Sequence, residues 1–282
     1  MLDSNSSDDS VSIASLYGAR VISIKPSEFN HGLTRNRGVQ YAVGEFIYFT
    51  VQDAELASVV HLEKMISHFQ DEEVQGVVGI QGYPHRNYVN PALWFKQFDE
   101  PIVETRDFAR GSFGKLTKEE QFSLSNWDNV NAMYRKSALI EIPFVATNFS
   151  EDWIWANQAL KAGMKLLRDP SILVWHYHHM TFGYTLKSTF VINYYFYYFF
   201  NQLPSFKFNL LPILQRTTTL IFKRRTLKIS DRCYWLVHNY VYFTVNSFSV
   251  LLFRIFYLFA NQKGIDYLYK ALCGTIPQGK IK

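Results

Sequence analysis

Phe46-Ile47-Tyr48-Phe49-Thr50-Val51 is an apolar run that stops abruptly at Gln52-Asp53-Ala54-Glu55. The residues of the run are β-branched or aromatic, polar alternation is missing, and Gly44 precedes it. This pattern is typical of a strand that is buried on both faces of a parallel sheet. The run therefore predicts a central strand of an α/β sheet, and the rest of the chain is interpreted outward from it.

Two carboxylates follow this predicted strand. Ligands of such sheets bind beyond the carboxyl ends of the strands. In extended backbone, residues i and i+2 point the same way, so Asp53 and Glu55 can reach one cation. A divalent ion that also holds a diphosphate uses one or two carboxylates and leaves its other positions to phosphate and water. The alternative is that Asp53 only caps the helix predicted to begin near Ala57.

Length and composition allow one large domain, or a domain with an appendage. The chain has 282 residues, 48% of them hydrophobic, which is ample for a core. The first residues show neither a basic nor an apolar segment, so no secretory signal is visible. Cys233 and Cys273 form no metal-type spacing and no disulfide framework, which suits a reducing compartment.

Charge and aromatic residues divide unevenly along the chain. Residues 1–180 carry 16 Lys and Arg against 22 Asp and Glu, a net −6, whereas residues 181–282 carry 13 against 2, a net +11. The second part also holds 25 of the 48 aromatic residues. A basic aromatic region is typical of binding to single-stranded nucleic acid or to an anionic membrane. Base stacking needs separated rings, and residues 194–200 are one solid aromatic block, so the pattern favours a membrane or a core.

Residues 234–253 contain no Asp, Glu, Lys or Arg, and this segment is long enough for a membrane-spanning helix. Polar residues within this segment weaken that interpretation. On a helical projection the apolar side chains fall on one side and the polar side chains on the other, which is an amphipathic pattern. Together with the basic residues 223–228, the pattern predicts a helix lying in the plane of an anionic membrane surface. The alternative is that the apolar stripe docks on the rest of the chain or on a second copy.

Helices and strands alternate through the first part of the chain, which predicts a doubly wound α/β sheet. The predicted helices cover residues 8–17, 34–42, 57–69, 135–139 and 151–163, and the predicted strands cover residues 20–24, 46–51, 74–81, 129–134, 165–167 and 172–175. Residues 82–125 show no such pattern. A long irregular connection of this kind is usually functional or mobile.

Four segments carry a resemblance to family 2 glycosyltransferases of the GT-A fold, closest to a bacterial rhamnosyltransferase-like branch. They are Asp3-Ser4-Asn5-Ser6-Ser7-Asp8, the segment from Glu28 to Gly38 with its Phe-Asn-His-Gly and Thr-Arg-Asn sequences, Gln52-Asp53-Ala54-Glu55, and Glu151-Asp152 followed by Trp175-His176-Tyr177-His178. The resemblance covers about residues 2–182. It implies an inverting, metal-dependent sugar transfer from a nucleotide sugar.

The resemblance also implies roles for individual residues. Asp152 is the expected general base, and its Trp153 neighbour in a semi-buried mouth would raise the carboxyl pKa toward the working pH. The expected donor-binding residues are Asp3, Arg35, Asn36 and Asp53. The expected acceptor-binding residues are Glu151, Trp153, Asn131 and His178. Asp53, Glu55 and His176 are the expected ligands of Mg or Mn. The alternatives without a catalytic role are that Glu151 and Asp152 only stabilise a helix start, that His176 is a core histidine, and that Arg35 is a surface cation.

These observations predict a GT-A-like, mostly parallel doubly wound domain over residues 1–182 and a helical, basic, aromatic region over residues 183–282. The expected donor is a dTDP- or UDP-linked sugar, rhamnose first, and the expected acceptor is a glycan or its lipid-linked precursor. We expect the protein to be cytoplasmic and peripheral on the inner face of the cell membrane. No nucleic acid is expected as a partner, and the chain alone does not decide between a monomer and an oligomer.

The start of the chain predicts one further feature. Relatives with this fold have a strand and a helix before the turn at Asp3, so the first domain is expected to be incomplete at its N-terminus. An unpaired strand edge is costly. The alternative function is therefore a truncated, catalytically inactive family member that binds glycan, membrane or a partner.

Overall fold

The structure is a computed structural model that describes residues 1–86, 88–96, 101–147, 149–179, 181–205 and 210–273. The chain forms two compact units, each built from several stretches of sequence. Unit 1 comprises Met1–Val51, Val59–Gly79 and Ile102–Ile172. Unit 2 comprises Gln52–Ser58, Ile80–Pro101 and Leu173–Lys282. Short segments around Asp53 and after Ile80 group with the C-terminal part, and the domain boundary at residue 182 stays a prediction.

The elements alternate as predicted through the first part of the chain. In order they are β1 (Leu2–Asp3), α1 (Ser10–Leu16), β2 (Ile22–Ser23), α2 (His31–Tyr41), β3 (Phe46–Phe49), β4 (Glu55–Leu56), α3 (His61–Ser67), β5 (Val74–Gly82), β6 (Glu104–Arg106), α4 (Lys118–Leu124), β7 (Ala132–Arg135), α5 (Lys136–Glu141), α6 (Glu151–Lys161), β8 (Lys165–Trp175), α7 (Phe182–Phe200), α8 (Leu211–Thr218) and α9 (Ile229–Cys273). The predicted α/β class is confirmed, with helices following the last strand.

The main sheet of unit 1 has the order β3-β7-β5-β8, with β6 also paired to β8. The described pairings of β7 with β3 and β5, and of β6 with β8, are antiparallel. A mostly parallel sheet was predicted, and only β1 and β2 pair in parallel among the registers described. The reason is that a strand buried on both faces gives the same apolar run whichever way its neighbour points. The apolar pattern therefore did not determine the relative direction of neighbouring strands, and the sheet is mixed.

The core of unit 1 lies between the sheet and α6. Trp127, Tyr134 and Trp155 are almost fully buried and contact one another edge-on or tilted. Fully burying an apolar side chain of this size stabilises the fold by roughly 1.5–3 kcal/mol. Gly79 is required by close packing, since a Cβ there would lie 2.2 Å from the Ile172 carbonyl oxygen. These contacts fix β5 and β7, which carry residues of the site described below.

Three predicted boundaries differ from the structure. The helix expected from Ala57 begins at His61, because residues 55–56 form β4 and pair with Val174 and Trp175. The two short strands expected over residues 165–175 are one strand, β8. The irregular stretch contains β6 and α4, and α4 begins with a capping box between Thr117 and Glu120.

Unit 2 contains the three C-terminal helices, and α7 packs along α9. Phe190 and Phe253 meet at 5.6 Å between ring centroids, and Ser249 donates to the Leu186 carbonyl at 3.0 Å. The backbone of α9 leaves helical geometry at Ala260 and Asn261, so it comprises two helices joined at a break. Among the described residues, α9 is the one helix long and apolar enough to cross a membrane by length and composition.

Candidate metal cluster and acidic site

Asp53, His176 and His178 form a cluster in unit 2. Their candidate ligand atoms all lie within 4.8 Å of one another. The Asp53 Oδ1 lies 3.3 Å from His176 Nε2, and the Asp53 Oδ2 lies 3.3 Å from His178 Nε2. The two imidazole rings meet edge to face, with centroids 4.4 Å apart. One carboxylate and two imidazoles thus converge on one point.

Strand geometry brings these residues together. Pairing of β4 with the end of β8 places Glu55 opposite Trp175, so the turn carrying Asp53 lies beside the residues that follow β8. His176 and His178 are two residues apart and lie on the same side of the chain. The backbone N–H of His176 donates to the Gly82 carbonyl at 3.1 Å, which ties this segment to the end of β5.

Gln81 orients the first histidine. The Gln81 Oε1 accepts a hydrogen bond from His176 Nδ1 at 2.6 Å, which leaves Nε2 facing Asp53. A hydrogen bond to the second ring nitrogen is the usual way in which a protein fixes a metal-binding imidazole. Gln81 was not predicted from sequence, and its position in the last part of β5 is the signal that locates it.

Electrostatics favour the metal-binding protonation states of Asp53 and His178. A hydrogen bond from His176 lowers the pKa of Asp53, and the charges of both histidines add to this effect against the opposing effect of burial. Burial lowers the pKa of His178, and His176 lowers it further, against the opposing effect of the Asp53 charge. A deprotonated carboxylate and neutral imidazoles are the forms that bind cations. Mixed oxygen and nitrogen ligands fit Mn and also admit Mg.

Glu55 lies apart from this cluster. Its carboxylate forms an exposed ion pair with Arg86, and His178 joins Asp53 and His176 in its place. The prediction assumed that Asp53 and Glu55 share one extended strand. Asp53 instead lies in the turn before β4, so the alternation of side chains does not extend to it.

A second group of polar residues is buried in unit 1 around the start of α6. Arg35 Nη1 lies 2.7 Å from Glu151 Oε1, which also accepts from Asn129 Nδ2 at 3.1 Å. The Asn129 Oδ1 accepts from the Tyr134 hydroxyl at 2.5 Å, and this hydroxyl accepts from Trp127 Nε1 at 2.7 Å. Glu151 is therefore neutralised and held by a continuous network.

Asp152, the neighbour of Glu151, forms no ion pair with a cation among the residues that the structure describes. Its carboxylate accepts backbone N–H donors from Asn129 at 3.1 Å and from Trp153 at 2.8 Å. Burial raises the pKa of Asp152 well above its ordinary value, and the charges of Glu151 and Asp128 raise it further. Arg35 and the Asn129 N–H oppose this shift without cancelling it. A carboxyl group with a raised pKa suits proton transfer near neutral pH.

Two of the predicted donor-binding residues have structural partners in unit 1. Asp3 is buried, and its carboxylate accepts from the Ser6 hydroxyl at 2.6 Å and from the backbone of the same turn. The Asn36 amide donates to the Phe144 carbonyl at 2.8 Å and accepts from the Phe144 N–H at 2.9 Å. These bonds shape loops, and a contact with the nucleotide stays a prediction for both residues.

The predicted acceptor-binding residues of unit 1 also differ in exposure. Asn131 is fully buried, donates to the Ile172 carbonyl at 3.0 Å and lies 2.9 Å from His61 Nε2. These bonds connect Asn131 to β8 and α3, and its contact with an acceptor stays a prediction. Trp153 is half-buried, and its ring lies against that of Phe122 at 4.7 Å. Among the three predicted acceptor-binding residues described in unit 1, Trp153 is the most exposed, and its contact with an acceptor stays a prediction.

Several polar residues of these clusters escaped the sequence analysis. Asn129, Tyr134 and Trp127 were not among the predicted site residues. The hydrogen bond from Asn129 to Glu151 joins residues 22 positions apart in the chain, and Tyr134 and Trp127 are connected to Glu151 only through Asn129. Only the pairing of remote elements brings them together, so local periodicity gives no signal for them.

Comparison with known proteins gives a consistent result. Residues 1–142 match the family model described as Glycosyl transferase family 2. The chain is 34% identical over 185 residues to the O-antigen chain rhamnosyltransferase WbaN of Salmonella anatum, covering 64% of this chain and 56% of that protein. It is 30% identical over 189 residues to RfbN of Salmonella typhimurium, an O-antigen chain rhamnosyltransferase, covering 64% and 57%. The chain spans about half the length of the curated relatives it matches.

A solved structure supports the fold. The chain resembles the mannosyltransferase PcManGT of Pyrobaculum calidifontis, whose structure is in complex with GDP-Man and Mn2+, with a TM-score of 0.51 and 11% identity. The match covers 89% of this chain and 76% of that one. The predicted GT-A-like fold is confirmed.

Proposed function

The chain belongs to glycosyl transferase family 2, and on this premise we propose that it transfers a sugar from a nucleotide sugar to a glycan acceptor with inversion at the anomeric carbon. The observation that carries this proposal is the convergence of Asp53, His176 and His178 in one cluster. The membership explains why a carboxylate and two imidazoles meet at the end of a strand, where ligands of such sheets bind.

The three residues would hold a divalent ion, Mn or Mg. When bound, the ion neutralises the charge that develops on the leaving diphosphate. Asp53 supplies an oxygen ligand and the histidines supply Nε2 ligands, while Gln81 keeps the His176 ring in its binding orientation. Glu55 is left out of the ligand set, because its carboxylate pairs with Arg86.

Asp152 is the proposed general base. In the inverting reaction, the acceptor hydroxyl oxygen forms a bond to the anomeric carbon while the bond from that carbon to the diphosphate oxygen breaks. The hydroxyl proton passes to the Asp152 carboxylate, whose raised pKa makes it a competent acceptor near neutral pH. Glu151 holds the start of α6 through Arg35 and Asn129, and Trp153 offers a ring for the acceptor sugar.

The proposed donor is a dTDP- or UDP-linked sugar, with dTDP-rhamnose first, because both curated relatives named above are rhamnosyltransferases. We propose Asp3, Arg35 and Asn36 as residues of the nucleotide side of the site. The test is a panel of nucleotide sugars incubated with Mn and a glycan acceptor, followed by determination of the anomeric configuration of the product. Inverted product from dTDP-rhamnose supports the proposal, whereas retained configuration contradicts the mechanism.

We also propose that unit 2 holds the protein on the inner face of the cell membrane, which gives access to a lipid-linked acceptor. An apolar stripe of α9 is exposed, with Val237, Tyr240, Phe248, Leu251 and Leu258 among its members. Only 11% of its most apolar window is buried. The opposite face of α9 carries protein contacts, including a bond between Asn239 and Asn90.

This division of faces favours a helix that lies in the membrane plane over one that spans it. The polar contacts of α9 at Asn239 and Arg254 join it to Asn90 and to the Pro204 carbonyl. Spanning would carry these partners into the hydrocarbon, where polar groups are costly. Exposed cations at Lys223, Arg225 and Lys228 precede α9 and suit an anionic surface.

A further inference from the structure

Two aromatic rings of unit 1 lie beside the proposed base. Phe122 of α4 and Trp153 of α6 have ring centroids 4.7 Å apart, and their planes are tilted by 42°. Neither residue belongs to the two hydrophobic clusters that the described residues form around the main sheet. Both side chains are half-buried, whereas Trp127 and Trp155 of the same unit are 1% and 0% exposed. The pair therefore forms an aromatic surface at the edge of the core.

The helix α4 buries polar side chains and leaves Phe122 half-buried. Gln121 is 4% exposed, and its Nε2 donates to the Leu116 carbonyl at 2.8 Å. Ser125, which follows α4, is fully buried and accepts from Asn157 Nδ2 of α6 at 2.9 Å. Apolar side chains normally take the buried face of a helix, and polar side chains take the exposed face. The reversed order indicates that the Phe122 ring serves a contact at the surface and not the core.

The buried polar bond also fixes the two rings relative to each other. Ser125 follows Phe122 by three residues, and Asn157 follows Trp153 by four. Residues with these spacings are neighbours on a helix surface, so the bond between Asn157 and Ser125 lies one turn from the ring contact on both elements. A surface that is already in its binding geometry loses little conformational entropy when a ligand arrives.

Asp152 connects this aromatic surface to the proposed reaction. Its Oδ1 accepts from the Trp153 backbone N–H at 2.8 Å. A hydroxyl that gives its proton to Asp152 has to lie within hydrogen-bond reach of this carboxylate, so the sugar that carries it lies close to the neighbouring indole. The face of an aromatic ring is electronegative and attracts C–H groups, which a pyranose ring presents on its apolar side.

We propose that Phe122 and Trp153 form a platform for a pyranose ring of the acceptor, and that Phe122 is a further specificity-determining residue. This inference rests on the proposed sugar transfer and assigns the acceptor class as a glycan with an apolar sugar face beside Asp152. Trp153 supplies the ring next to the carboxylate, and Phe122 extends the aromatic surface from α4. Phe122 lies in the stretch over residues 82–125, where the sequence shows no motif.

The test is ¹⁹F NMR of the full chain labelled with 5-fluorotryptophan and titrated with the methyl glycosides of rhamnose, mannose, galactose and glucose. Loss of a signal in Trp153→Phe assigns Trp153, and at least one glycoside should move that signal. Phe122→Leu keeps an apolar side chain but removes the ring, so it should weaken this binding about three- to tenfold. Phe122→Tyr keeps the ring and should bind within about twofold of the wild-type chain.

The matched control is Phe46→Leu. The Phe46 ring lies against Phe69 with centroids also 4.7 Å apart and a tilt of 37°, but it packs on a core cluster. Loss of this ring should lower the melting temperature and leave the glycoside affinity unchanged. Equal weakening of glycoside binding by Phe46→Leu and Phe122→Leu would mean a general loss of structure and would overturn the platform.

Calorimetric titration with dTDP and Mn separates the acceptor from the donor. Phe122→Leu should leave the dTDP affinity unchanged. A loss of dTDP affinity together with unchanged glycoside affinity would assign the rings to the nucleotide base and overturn the proposal, as would a Trp153 signal that no glycoside moves. Both titrations measure binding, so their outcome is distinct from failure of sugar transfer itself, which appears as absence of nucleoside diphosphate release.

Discussion

The Arg35 guanidinium lies 2.7 Å from the Glu151 carboxylate, and neither side chain is well exposed to water, at 16% and 5%. Asp152, the next residue, has no comparable cation and its pKa is raised well above the ordinary value by burial and by its acidic neighbours. Two adjacent carboxylates at one helix start thus have different environments. This arrangement supports the proposal that Glu151 holds the start of α6 and that Asp152 transfers the proton.

Breaking the Arg35 and Glu151 pair should destabilise the protein. Glu151→Gln leaves Arg35 buried without its partner, which costs about 3–5 kcal/mol when a buried ion pair loses one member. Urea denaturation of the variant measures this change. The control is Glu28→Gln, whose ion pair with Arg37 is exposed and should contribute less than about 1 kcal/mol. Equal stability of the two variants would contradict the structural role of Glu151.

Asp152→Asn should separate stability from turnover. Loss of a positioned general base lowers kcat by about 10² to 10⁴. The carboxylate of Asp152 costs stability as the pH rises through its raised folded-state pKa, so the neutral amide should leave the melting temperature at neutral pH unchanged or higher. Turnover measurements and thermal melts check both results. A variant that keeps full turnover would place the base elsewhere.

The pH profile of turnover should report the ionisation of Asp152. Asp152 accepts a proton only when it is ionised, so activity is full above its pKa and falls as the pH drops through it. Because this pKa is raised, the acid limb should lie above the ordinary aspartate value of about 3.9. Asp128→Asn removes a charge that raises the pKa, and should move the limb to lower pH. The exposed Glu119→Gln should leave the limb unmoved; an equal shift in both variants would refute the assignment.

Gln81→Leu should weaken metal binding without removing a ligand. The substitution removes the acceptor for His176 Nδ1, and loss of such an orienting contact typically lowers metal affinity about 10- to 100-fold. Glu55→Gln is the matched control, because Glu55 pairs with Arg86 outside the cluster. Titration with Mn followed by electron paramagnetic resonance measures both affinities. A larger loss in the Glu55 variant would restore that residue to the ligand set.

Membrane association should depend on exposed apolar residues next to the basic stretch. Phe222 is 60% exposed, so Phe222→Asp should reduce sedimentation with anionic vesicles, and high salt should release the wild-type chain. Leu16→Asp alters a residue of α1 that is 82% exposed and should leave sedimentation unchanged. Retention of the wild-type chain after a carbonate wash would instead indicate a spanning helix.

Local patterns predicted the parts of the fold that depend on local physics. The apolar run from Phe46 predicted β3, and the helix predicted to end at residue 163 is α6, which is followed by Gly163 with a positive φ of 83°. Asp53 and His176 were predicted as ligands of one cation, and the Asp53 Oδ1 lies 3.3 Å from His176 Nε2. These successes rest on side-chain period and on turn chemistry.

The remaining features of the fold and of the site depend on contacts between residues far apart in the sequence. The sequence of an apolar strand does not show whether β7 runs parallel or antiparallel to β3. The ion pair of Glu55 with Arg86 joins residues 31 positions apart, so local patterns could not predict it. Gln81 and Asn129 acquire their roles only when remote strands and helices meet. The position of Asp53 in a turn, which removed Glu55 from the cluster, likewise depended on how β4 pairs with β8.

Release of nucleoside diphosphate from dTDP-rhamnose in the presence of acceptor tests the central claim most directly. The account predicts that the wild-type chain releases it with Mn, that EDTA abolishes the release, and that Asp53→Ala lowers it strongly at the same Mn concentration. Release by the wild-type chain that is equal with Mn and with EDTA would contradict the metal cluster. No release from any nucleotide sugar would contradict sugar transfer itself and favour an inactive member of the family.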